Sequence, residues 1–273
     1  MVSVTDTRGN TSLKMLNFKG FIFDLDGCIF RGDRPIPGAR ETLDAIRARG
    51  IRLLFLTNNS TGTPQQYSEK LAAMGIRAST DEILTSAVAT AAYMHQMERG
   101  GAFIVGEKAL ETAVEGEGFT ILGENRATEA KYVVCGLDRE VTYEKLKAAS
   151  LALERGARFI ASNADPSLPT EEGYLPGAGA IISALVATTK IKPEIVGKPS
   201  RRIMKIALRR LGLKAEEVVI VGDVLETDIK AGKNSGVHTV LVLTGVTKRE
   251  QLIASNIQPD LTLDSVADIM KLI

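Results

Sequence analysis

The chain has 273 residues, 44% hydrophobic and 25% charged, which is typical of one large globular domain or two smaller ones. Its 34 lysines and arginines nearly balance 33 aspartates and glutamates, so no basic field exists to hold nucleic acid non-specifically. Tryptophan is absent and aromatic residues reach only 5%, which argues against a platform for base stacking.

Two observations bear on the location of the protein. Cys28 and Cys135 are too few for a disulfide framework, which favours a reducing compartment. The opening MVSVTDTRGNTSLKM is polar and has no apolar signal core, and no apolar run approaches the roughly 20 residues of a membrane span. We therefore expect a cytoplasmic protein with no membrane partner.

Strand and helix signals alternate after this polar start. Short apolar runs predict strands, and segments with apolar residues at helical spacing that end on glycine predict helices. The predicted strands are GFIFDL (20–25) and IRLLFLT (51–57), and the predicted helices are GARETLDAIRARG (38–50) and TPQQYSEKLAAMG (63–75).

The middle of the chain alternates in the same way. It predicts strands at AFIVGE (102–107), KYVVCGL (131–137) and ARFIASN (157–163), and a helix at TYEKLKAASLALERG (142–156). The segment DPSLPTEEGYLPGAGA (165–180) is rich in proline and glycine, so we expect it to be the longest loop.

The C-terminal part returns to the pattern of the first. Two helices and two buried strands are predicted: SRRIMKIALRRLG (200–212), EVVIVGD (217–223), ETDIKAGKNSG (226–236) and VHTVLVLTG (237–245). Strands that alternate with helices of this length indicate βαβ units and a parallel sheet. The fold class predicted is therefore α/β.

Polar loop composition marks two joins, near 76–81 and 188–194. We expect a split core domain, 1–79 and 194–273, interrupted by a second α/β domain at 80–193. One unbroken sheet of about ten strands is the alternative that the pattern leaves open.

Asp24 and Asp26 stand at the exit of the first predicted strand. If the strand extends through them, residues two apart share a face, and both carboxylates point the same way. Ligands of open α/β sheets bind beyond the carboxyl ends of the strands, where this pair would lie. The alternative is a loop in which both acids cap a turn at Gly27.

Other strand exits carry polar residues as well. Thr57, Asn58 and Asn59 end the next strand with hydroxyl and amide groups that suit a phosphate oxygen, although a plain turn has the same residues.

An acid and a lysine complete the pattern. Lys198 precedes a helix in VGKPS, a place where a solvated surface lysine is also common. Gly222 and Asp223 end another buried strand, and Asp228 follows five residues later, where it could equally complement a helix dipole. The convergence of all these groups at sheet ends favours a functional site.

The segments DLDG, LTNN, GKPS and GDVLETD occur in the order of the four motifs of the haloacid dehalogenase superfamily, which the chain resembles. The long insert between the second and third motifs looks like a type-two cap. With TNNS, GLDREVTYEKL and PGAGAI, the chain is similar to the NagD-type, p-nitrophenyl phosphatase branch, class IIA. The resemblance implies a Rossmann-like core, dependence on Mg2+ and hydrolysis of phosphomonoesters.

The resemblance assigns Asp24 as the nucleophile that forms an aspartyl-phosphate, since a carboxylate stays ionised at neutral pH. Asp24, Asp223 and the carbonyl of Asp26 would hold Mg2+, which oxygen-only ligands favour over zinc. Asp26 would act as general acid for the leaving alkoxide and then as base for water.

The remaining motif residues would serve the phosphate. Lys198, Thr57 and Asn58, with Asn59 beside them, would bind its equatorial oxygens. Asp228 would orient Lys198 or a metal-bound water.

The cap segment SNADPSLP matches the position of the branch's specificity loop. Asn163, Asp165, Ser167 and Leu168 are therefore candidate substrate contacts, with a proline-stabilised turn as the alternative. The glycines of PGAGAI would approach either the substrate or the sheet of their own domain. We expect Cys28 to be a small buried apolar residue.

These observations predict a Mg2+-dependent phosphatase that acts on a small phosphorylated metabolite and, by analogy with the branch, forms a homodimer through its cap. A non-catalytic phosphometabolite-binding regulatory protein is the alternative, although a binder needs no nucleophile. Another reaction of the superfamily, such as dehalogenation, is the third reading, and the acidic GDVLETD motif favours metal over halide chemistry.

Overall fold

A computed structural model describes residues 18–170 and 172–273 of the chain. Within this part, short strands alternate with helices. The strands are β1 Gly20–Phe23, β2 Phe30–Arg31, β3 Arg34–Pro35, β4 Arg52–Thr57, β5 Ile83–Thr85, β6 Gly101–Val105, β7 Thr120–Ile121, β8 Tyr132–Cys135, β9 Arg158–Ala161, β10 Ser167–Thr170, β11 Gly173–Pro176, β12 Glu194–Ile195, β13 Val218–Gly222, β14 His238–Val242 and β15 Leu261–Leu263.

Helices connect most of these strands. The α-helices are α1 Ala39–Ala48, α2 Pro64–Ala73, α3 Ser86–Met94, α4 Lys108–Gly116, α5 Tyr143–Glu154, α6 Ala178–Thr189, α7 Arg201–Leu211, α8 Lys230–Ser235 and α9 Arg249–Ala254. Short 3-10 turns lie at Thr80–Glu82, Glu124–Glu129, Ala215–Glu217 and Val266–Lys271, and a π-helical turn lies at Leu225–Ile229. None of the helices in the described ranges is long and apolar enough to cross a membrane.

The chain divides into two compact units. The first comprises the described residues 18–57, Pro64–Leu84 and Lys198–Ile273, and the second comprises Asn58–Thr63 and Thr85–Gly197. Residues 58–63 thus group with the second unit, whereas the predicted boundaries place them in the first domain. The domain assignment itself stays a prediction.

The first unit is built on a six-stranded sheet in the order β15-β14-β13-β1-β4-β5. The central strand β1 pairs in parallel with both β13 and β4, so that Phe23 lies opposite Val221 on one side and Phe55 on the other. Every residue of β1 and β13 is buried, as the apolar runs predict for strands covered on both faces.

Helix α7 shows how local sequence fixes the covering layer. Ser200 caps its start by accepting from the backbone N–H of Arg202 at 3.2 Å, and Gly212 ends it in the left-handed conformation with φ 62. Ile203, Met204, Ala207 and Leu211 form its buried face, at the spacing of an amphipathic helix.

The second unit has its own parallel sheet in the order β12-β9-β8-β6-β7. Its core includes Phe103, Val133 and Phe159 from the sheet and Leu153 and Leu185 from the helices. The two parallel sheets confirm the predicted α/β class, and the alternative of one unbroken sheet is wrong.

The predicted long loop at 165–180 is also wrong in part. Strands β10 and β11 form an antiparallel hairpin in which Leu168 lies opposite Leu175, and α6 begins at Ala178. The hairpin is a separate two-stranded ribbon, so its strands have unpaired edges where proline costs no ladder hydrogen bond. Proline therefore did not exclude strands here.

The first predicted strand is shorter than expected. It ends at Phe23, before both aspartates, and the chain turns at Gly27, whose φ is 79. Asp24 is half-buried and Asp26 is exposed, so the strand periodicity that placed both carboxylates on one face does not apply to them. The backbone of this segment therefore forms the turn at Gly27 that was the alternative prediction.

Candidate active site

The candidate site lies where three neighbouring strands of the first unit end. Asp24 follows β1, Thr57 is the last residue of β4, and Asp223 follows β13. Because β1 pairs in parallel with both other strands, all three residues stand at one edge of the sheet. The backbone N–H of Asp24 donates to the carbonyl of Val221 at 2.9 Å and ties the two exits together. This is the edge at which open α/β sheets bind ligands.

Lys198 brings the opposite charge to these acids. Its side chain is 3% exposed, and Nζ donates to Asp24 Oδ1 at 2.5 Å, to Asp228 Oδ1 at 2.6 Å and to the carbonyl of Leu56 at 3.2 Å. Burial lowers the pKa of Lys198, but Asp228 and Asp24 outweigh burial and hold that pKa above its usual value. The lysine therefore stays charged and orients two carboxylates.

Asp228 uses both of its carboxylate oxygens. It lies in the π-helical turn, where Oδ2 accepts from the backbone N–H groups of Asp223 at 3.1 Å and Val224 at 3.0 Å while Oδ1 accepts from Lys198. This buried side chain thus connects the exit of β13 to the lysine.

Asp223 is the member of the group with an unused oxygen. Its side chain is buried, and Oδ2 accepts from the backbone N–H of Val246 at 2.6 Å. Oδ1 is also buried and has no hydrogen-bond partner among the described residues. Burial, and then the charge of Asp228, raises the pKa of Asp223 to about 7. A buried carboxylate oxygen without a partner is costly unless a cation is present.

Three acids lie close enough to share such a cation. Asp24, Asp223 and Asp228 each offer a carboxylate oxygen, and these oxygens lie within 4.8 Å of one another. An all-oxygen donor set suits a hard dication such as Mg2+, and the unpartnered Oδ1 of Asp223 is the observation that fits it.

Two glycines allow this packing around Asp223. A Cβ added at Gly245 would lie 1.8 Å from Asp223 Oδ2, and one added at Gly27 would lie 2.5 Å from the same oxygen. Gly27 also has a positive φ of 79, which other residues rarely adopt. Any larger residue at Gly245 would displace the carboxylate.

The pKa values of Asp24 and Asp26 are both raised. Burial raises the pKa of Asp24 well above its ordinary value, although Lys198 opposes the shift. The side chain of Asp26 reaches the surface, yet the protein around it removes enough water to raise its pKa, against the charges of Lys70 and Lys198. Asp26 is therefore protonated more easily than a free carboxyl group in water, although its side chain is exposed.

Asn58, Asn163 and Asp165 form a hydrogen-bonded group in the second unit. Asn58 Nδ2 donates to Asp165 Oδ2 at 3.0 Å, and Asn163 Nδ2 donates to the carbonyl of Asn58 at 2.8 Å. The Ser86 hydroxyl donates to the same carbonyl at 2.6 Å. Two of the predicted substrate contacts therefore hold the residue that follows Thr57 in the chain.

The other predicted contacts have separate surroundings. Asn59 Oδ1 accepts from the backbone N–H of Thr61 at 2.7 Å and from its hydroxyl at 2.8 Å, which forms a local turn. Leu168 is partly buried against the core of the second unit, and Ser167 pairs with Pro176 in the hairpin. Their contact with a substrate stays a prediction.

Cys28 is fully buried, and its thiol lies 3.7 Å from the carbonyl of Val221. Burial, followed by the negative charges of Asp24 and Asp223, raises the pKa of the Cys28 thiol well above its ordinary value. The prediction of a small buried apolar residue is confirmed, because a thiol in this state is unreactive.

Several groups at the site were not found from the sequence. The carbonyl of Leu56 and the N–H of Val246 are backbone groups, whose roles cannot be predicted from the type of residue that carries them. Gly245 is the last residue of a predicted strand, and a glycine at a strand exit was the signal that could have identified it. Lys70 lies on α2, and its Nζ is 4.4 Å from the ring centroid of Phe30. It belongs to none of the four motifs, so the sequence did not indicate it.

Family models match two stretches of the chain. A model described as haloacid dehalogenase-like hydrolase matches residues 21–120, and a second model of HAD-like hydrolases matches residues 195–269. The chain is 41% identical over 255 residues to the 5'-nucleotidase YutF of Bacillus subtilis, which covers 93% of this chain and 98% of that protein. The chain belongs to the haloacid dehalogenase-like hydrolase family.

Another relative and the solved structures agree with this family. The acid sugar phosphatase of Staphylococcus aureus (strain MRSA252) is 43% identical over 246 residues, covering 90% of this chain and 94% of that protein. The p-nitrophenyl phosphatase from Archaeoglobus fulgidus has a TM-score of 0.89 at 37% identity, covering 94% of this chain and 100% of that one. These relatives are phosphatases, which confirms the predicted enzyme class.

Two further structures bear on the branch and on the metal. NagD from Escherichia coli K-12 has a TM-score of 0.86 at 34% identity, covering 92% of this chain and 98% of that one, in agreement with the NagD-type resemblance. The glycerol phosphate phosphatase Rv1692 from Mycobacterium tuberculosis, solved in complex with magnesium, has a TM-score of 0.86 at 31% identity, covering 94% of this chain and 78% of that one.

Proposed function

We propose that the protein is a Mg2+-dependent phosphatase that hydrolyses small phosphomonoesters through an aspartyl-phosphate on Asp24. The observation that carries the proposal is the hydrogen bond from the buried Lys198 Nζ to Asp24, beside the unpartnered oxygen of Asp223. A lysine that fixes one carboxylate next to an unpartnered oxygen of another suits an anionic substrate that arrives with a cation.

The residues that would hold Mg2+ are Asp24 and Asp223 together with the carbonyl of Asp26. When bound, Mg2+ would neutralise the charge of the phosphate and keep these carboxylates ionised despite their burial. The raised pKa values of Asp24 and Asp223 support the need for this positive charge.

Asp24 would attack phosphorus with a carboxylate oxygen. The new bond joins that oxygen to phosphorus, and the bond from phosphorus to the leaving oxygen breaks. Lys198, whose Nζ already holds Asp24 Oδ1, would keep the carboxylate oriented and offset charge on the phosphoryl oxygens. The hydroxyl of Thr57 and the amide of Asn58 would donate to the same oxygens.

Asp26 would move the protons in both halves of the reaction. In the first half it would give its proton to the leaving oxygen, which departs as an alcohol. In the second it would take a proton from the water that attacks the phosphorus of the aspartyl-phosphate, so that phosphate leaves and the Asp24 carboxylate is restored. Its raised pKa supports the protonated form that the first half requires.

The proposed substrate is a small phosphomonoester. The relatives named 5'-nucleotidase and acid sugar phosphatase support this class of substrate. Asn163, Asp165 and Leu168 of the second unit would contact such molecules, and Leu168 would distinguish among them. A cytoplasmic location and a homodimer formed through the second unit are further predictions from the sequence.

Hydrolysis of p-nitrophenyl phosphate tests the proposal. We expect activity with Mg2+, loss of activity with EDTA, and at least a thousandfold loss in Asp24→Asn, because the amide cannot form the phosphoryl ester. The exposed Asp44→Asn change on α1 is the matched control and should leave the rate unaltered. Equal rates for Asp24→Asn and the wild type would refute the nucleophile. Phosphate-ester binding by the wild type without turnover would instead favour the regulatory binder.

A further inference from the structure

A basic groove lies on the first unit between α7 and α8, and the reaction proposed above does not use it. Its volume is about 1040 Å³. Its lining includes five exposed cations and one acid: Arg201, Lys205, Arg209, Lys214, Lys233 and Glu217. Such a local excess of positive charge contrasts with the net charge of +1 for the whole chain.

Three of the cations form a stripe along one side of α7. Arg201, Lys205 and Arg209 are four residues apart, so they lie on one face of the helix at intervals of about 6 Å along its axis. None of the three has an ion pair within residues 18–170 and 172–273, whereas other surface cations, such as Lys19 and Arg126, pair with an acid. Their charge is therefore available to a ligand.

The one acid of the lining does not neutralise this stripe. Glu217 already accepts from Lys19 at 2.6 Å, and its second oxygen accepts from the backbone N–H of Lys214 at 2.9 Å. On the opposite wall, Lys233 pairs with Asp260, which cancels one positive charge there. The groove keeps a clear positive excess after both pairs are counted.

The other residues that line the groove limit the kinds of ligand that it could bind. Leu208 and Leu213 contribute apolar surface, and no aromatic side chain is found among the described residues that line the groove. A base or other flat ring would therefore find no aromatic stacking partner. The hydroxyl of Ser235, another lining residue, is buried and has no hydrogen-bond partner in the described part of the chain.

We propose that this groove binds a small anion with several closely spaced phosphate groups, held by Arg201, Lys205 and Arg209. Guanidinium groups match phosphate oxygens in pairs, and a row of three cations suits a chain of phosphates better than a single one. None of the residues that line the groove belongs to the group around Asp24, Lys198 and Asp223, and the groove would bind its ligand without hydrolysing it.

Titration calorimetry with inorganic tripolyphosphate tests the proposal. The full-length protein is used in EDTA, since the acids of the active site repel anions when no cation is present. We expect one tripolyphosphate per chain, and binding that weakens as sodium chloride is raised. The variant R201E/K205E/R209E should bind at least about tenfold more weakly, because three attractive charges become repulsive.

A charge-matched control separates the groove from the overall charge. R77E/R155E/K192E reverses three exposed positive charges elsewhere, so the net charge changes by the same amount. This variant should bind tripolyphosphate as the wild type does. The single change Lys205→Gln should weaken binding severalfold without threatening the fold, which circular dichroism checks. An equal loss in the control triple variant, or no binding by the wild type, would overturn the proposal.

Two further binding experiments identify the class of ligand. Adenosine triphosphate should bind no more tightly than tripolyphosphate, and binding more than tenfold tighter would show that a base is recognised and overturn the assignment. Sulfate at equal ionic strength should not displace tripolyphosphate, and full displacement would reduce the site to non-specific ion binding. Asp24→Asn should bind tripolyphosphate normally while losing phosphatase activity, so the two proposals fail independently.

Discussion

Lys198 Nζ lies 2.6 Å from Asp228 Oδ1, and both side chains are almost completely buried. Since Asp24 accepts from the same nitrogen, the lysine is held from two sides by acids. Removing either acid from a buried pair leaves an uncompensated charge, which is far more costly than removing a surface pair.

Asp228→Asn should therefore damage both activity and stability. The amide oxygen can still accept from the N–H groups of Asp223 and Val224, but the charge opposite Lys198 is lost. We expect kcat for p-nitrophenyl phosphate to fall about 10- to 100-fold. The free energy of unfolding in urea should fall by about 3 kcal/mol. Asp260→Asn, which removes the charged partner of the exposed Lys233, is the control and should cost less than about 1 kcal/mol. Similar losses in both variants would contradict the special role of the buried pair.

The stability of the metal-free protein should depend on the titration of Asp223. Its pKa is raised to about 7 in the folded protein, against about 3.9 for an unfolded chain. Between these values the folded protein keeps a proton that the unfolded chain has released, so the free energy of unfolding falls as the pH rises from about 4 to about 7. Above pH 7 this contribution is constant.

Urea unfolding in EDTA at pH 5 and pH 8 measures the effect. The wild type should lose roughly 2–3 kcal/mol more than Asp223→Asn over this interval. Saturating Mg2+ should remove most of the difference between the two pH values, because the cation favours the ionised carboxylate. Parallel pH profiles for the wild type and Asp223→Asn in EDTA would count against a raised pKa at this residue.

Gly245→Ala should weaken Mg2+ activation. The added methyl would lie 1.8 Å from Asp223 Oδ2, so the carboxylate must move and lose the N–H of Val246. We expect the Mg2+ concentration for half-maximal activity to rise at least about tenfold. Gly116→Ala, where an added methyl meets nothing within 4 Å, is the control and should leave Mg2+ activation unaltered. An unaltered Mg2+ requirement in Gly245→Ala would argue against Asp223 as a ligand.

Substitutions of Asp165 and Leu168 should change the activity toward phosphate esters in different ways. Asp165→Ala removes the acceptor of Asn58 Nδ2, so we expect lower kcat/KM by about tenfold for every phosphate ester tested. Leu168→Ala should instead change the ranking of esters, because it alters an apolar surface of the second unit. A panel of sugar phosphates, nucleotides and p-nitrophenyl phosphate distinguishes the two outcomes. A changed ranking in Asp165→Ala would mean that Asp165 selects the substrate itself.

The sequence was most informative where strands end. The apolar runs before Asp24, Thr57 and Asp223 are buried on every side, so their exits were recognisable, and parallel pairing places such exits at one edge of the sheet. The proximity of Lys198 to Asp24 followed from the motif order rather than from any local pattern.

Other features could not be read from residue types. Strand β1 ends before Asp24 because the chain turns at Gly27, and periodicity does not report such a turn. The contacts of Asn58 with Asn163 and Asp165 join residues more than 100 positions apart. The proline and glycine of the hairpin β10–β11 led to the prediction of a loop, although both residues are also compatible with the edges of a two-stranded ribbon.

Cys28 and Cys135 are both free thiols, fully buried, and each unit contains one of them. Burial raises the pKa of both thiols, so neither should react with an aromatic disulfide reagent while its own unit is intact. The labelling rate of each cysteine therefore reports the opening of one unit, and single Cys→Ser variants would follow the unfolding of the two units independently without any added probe.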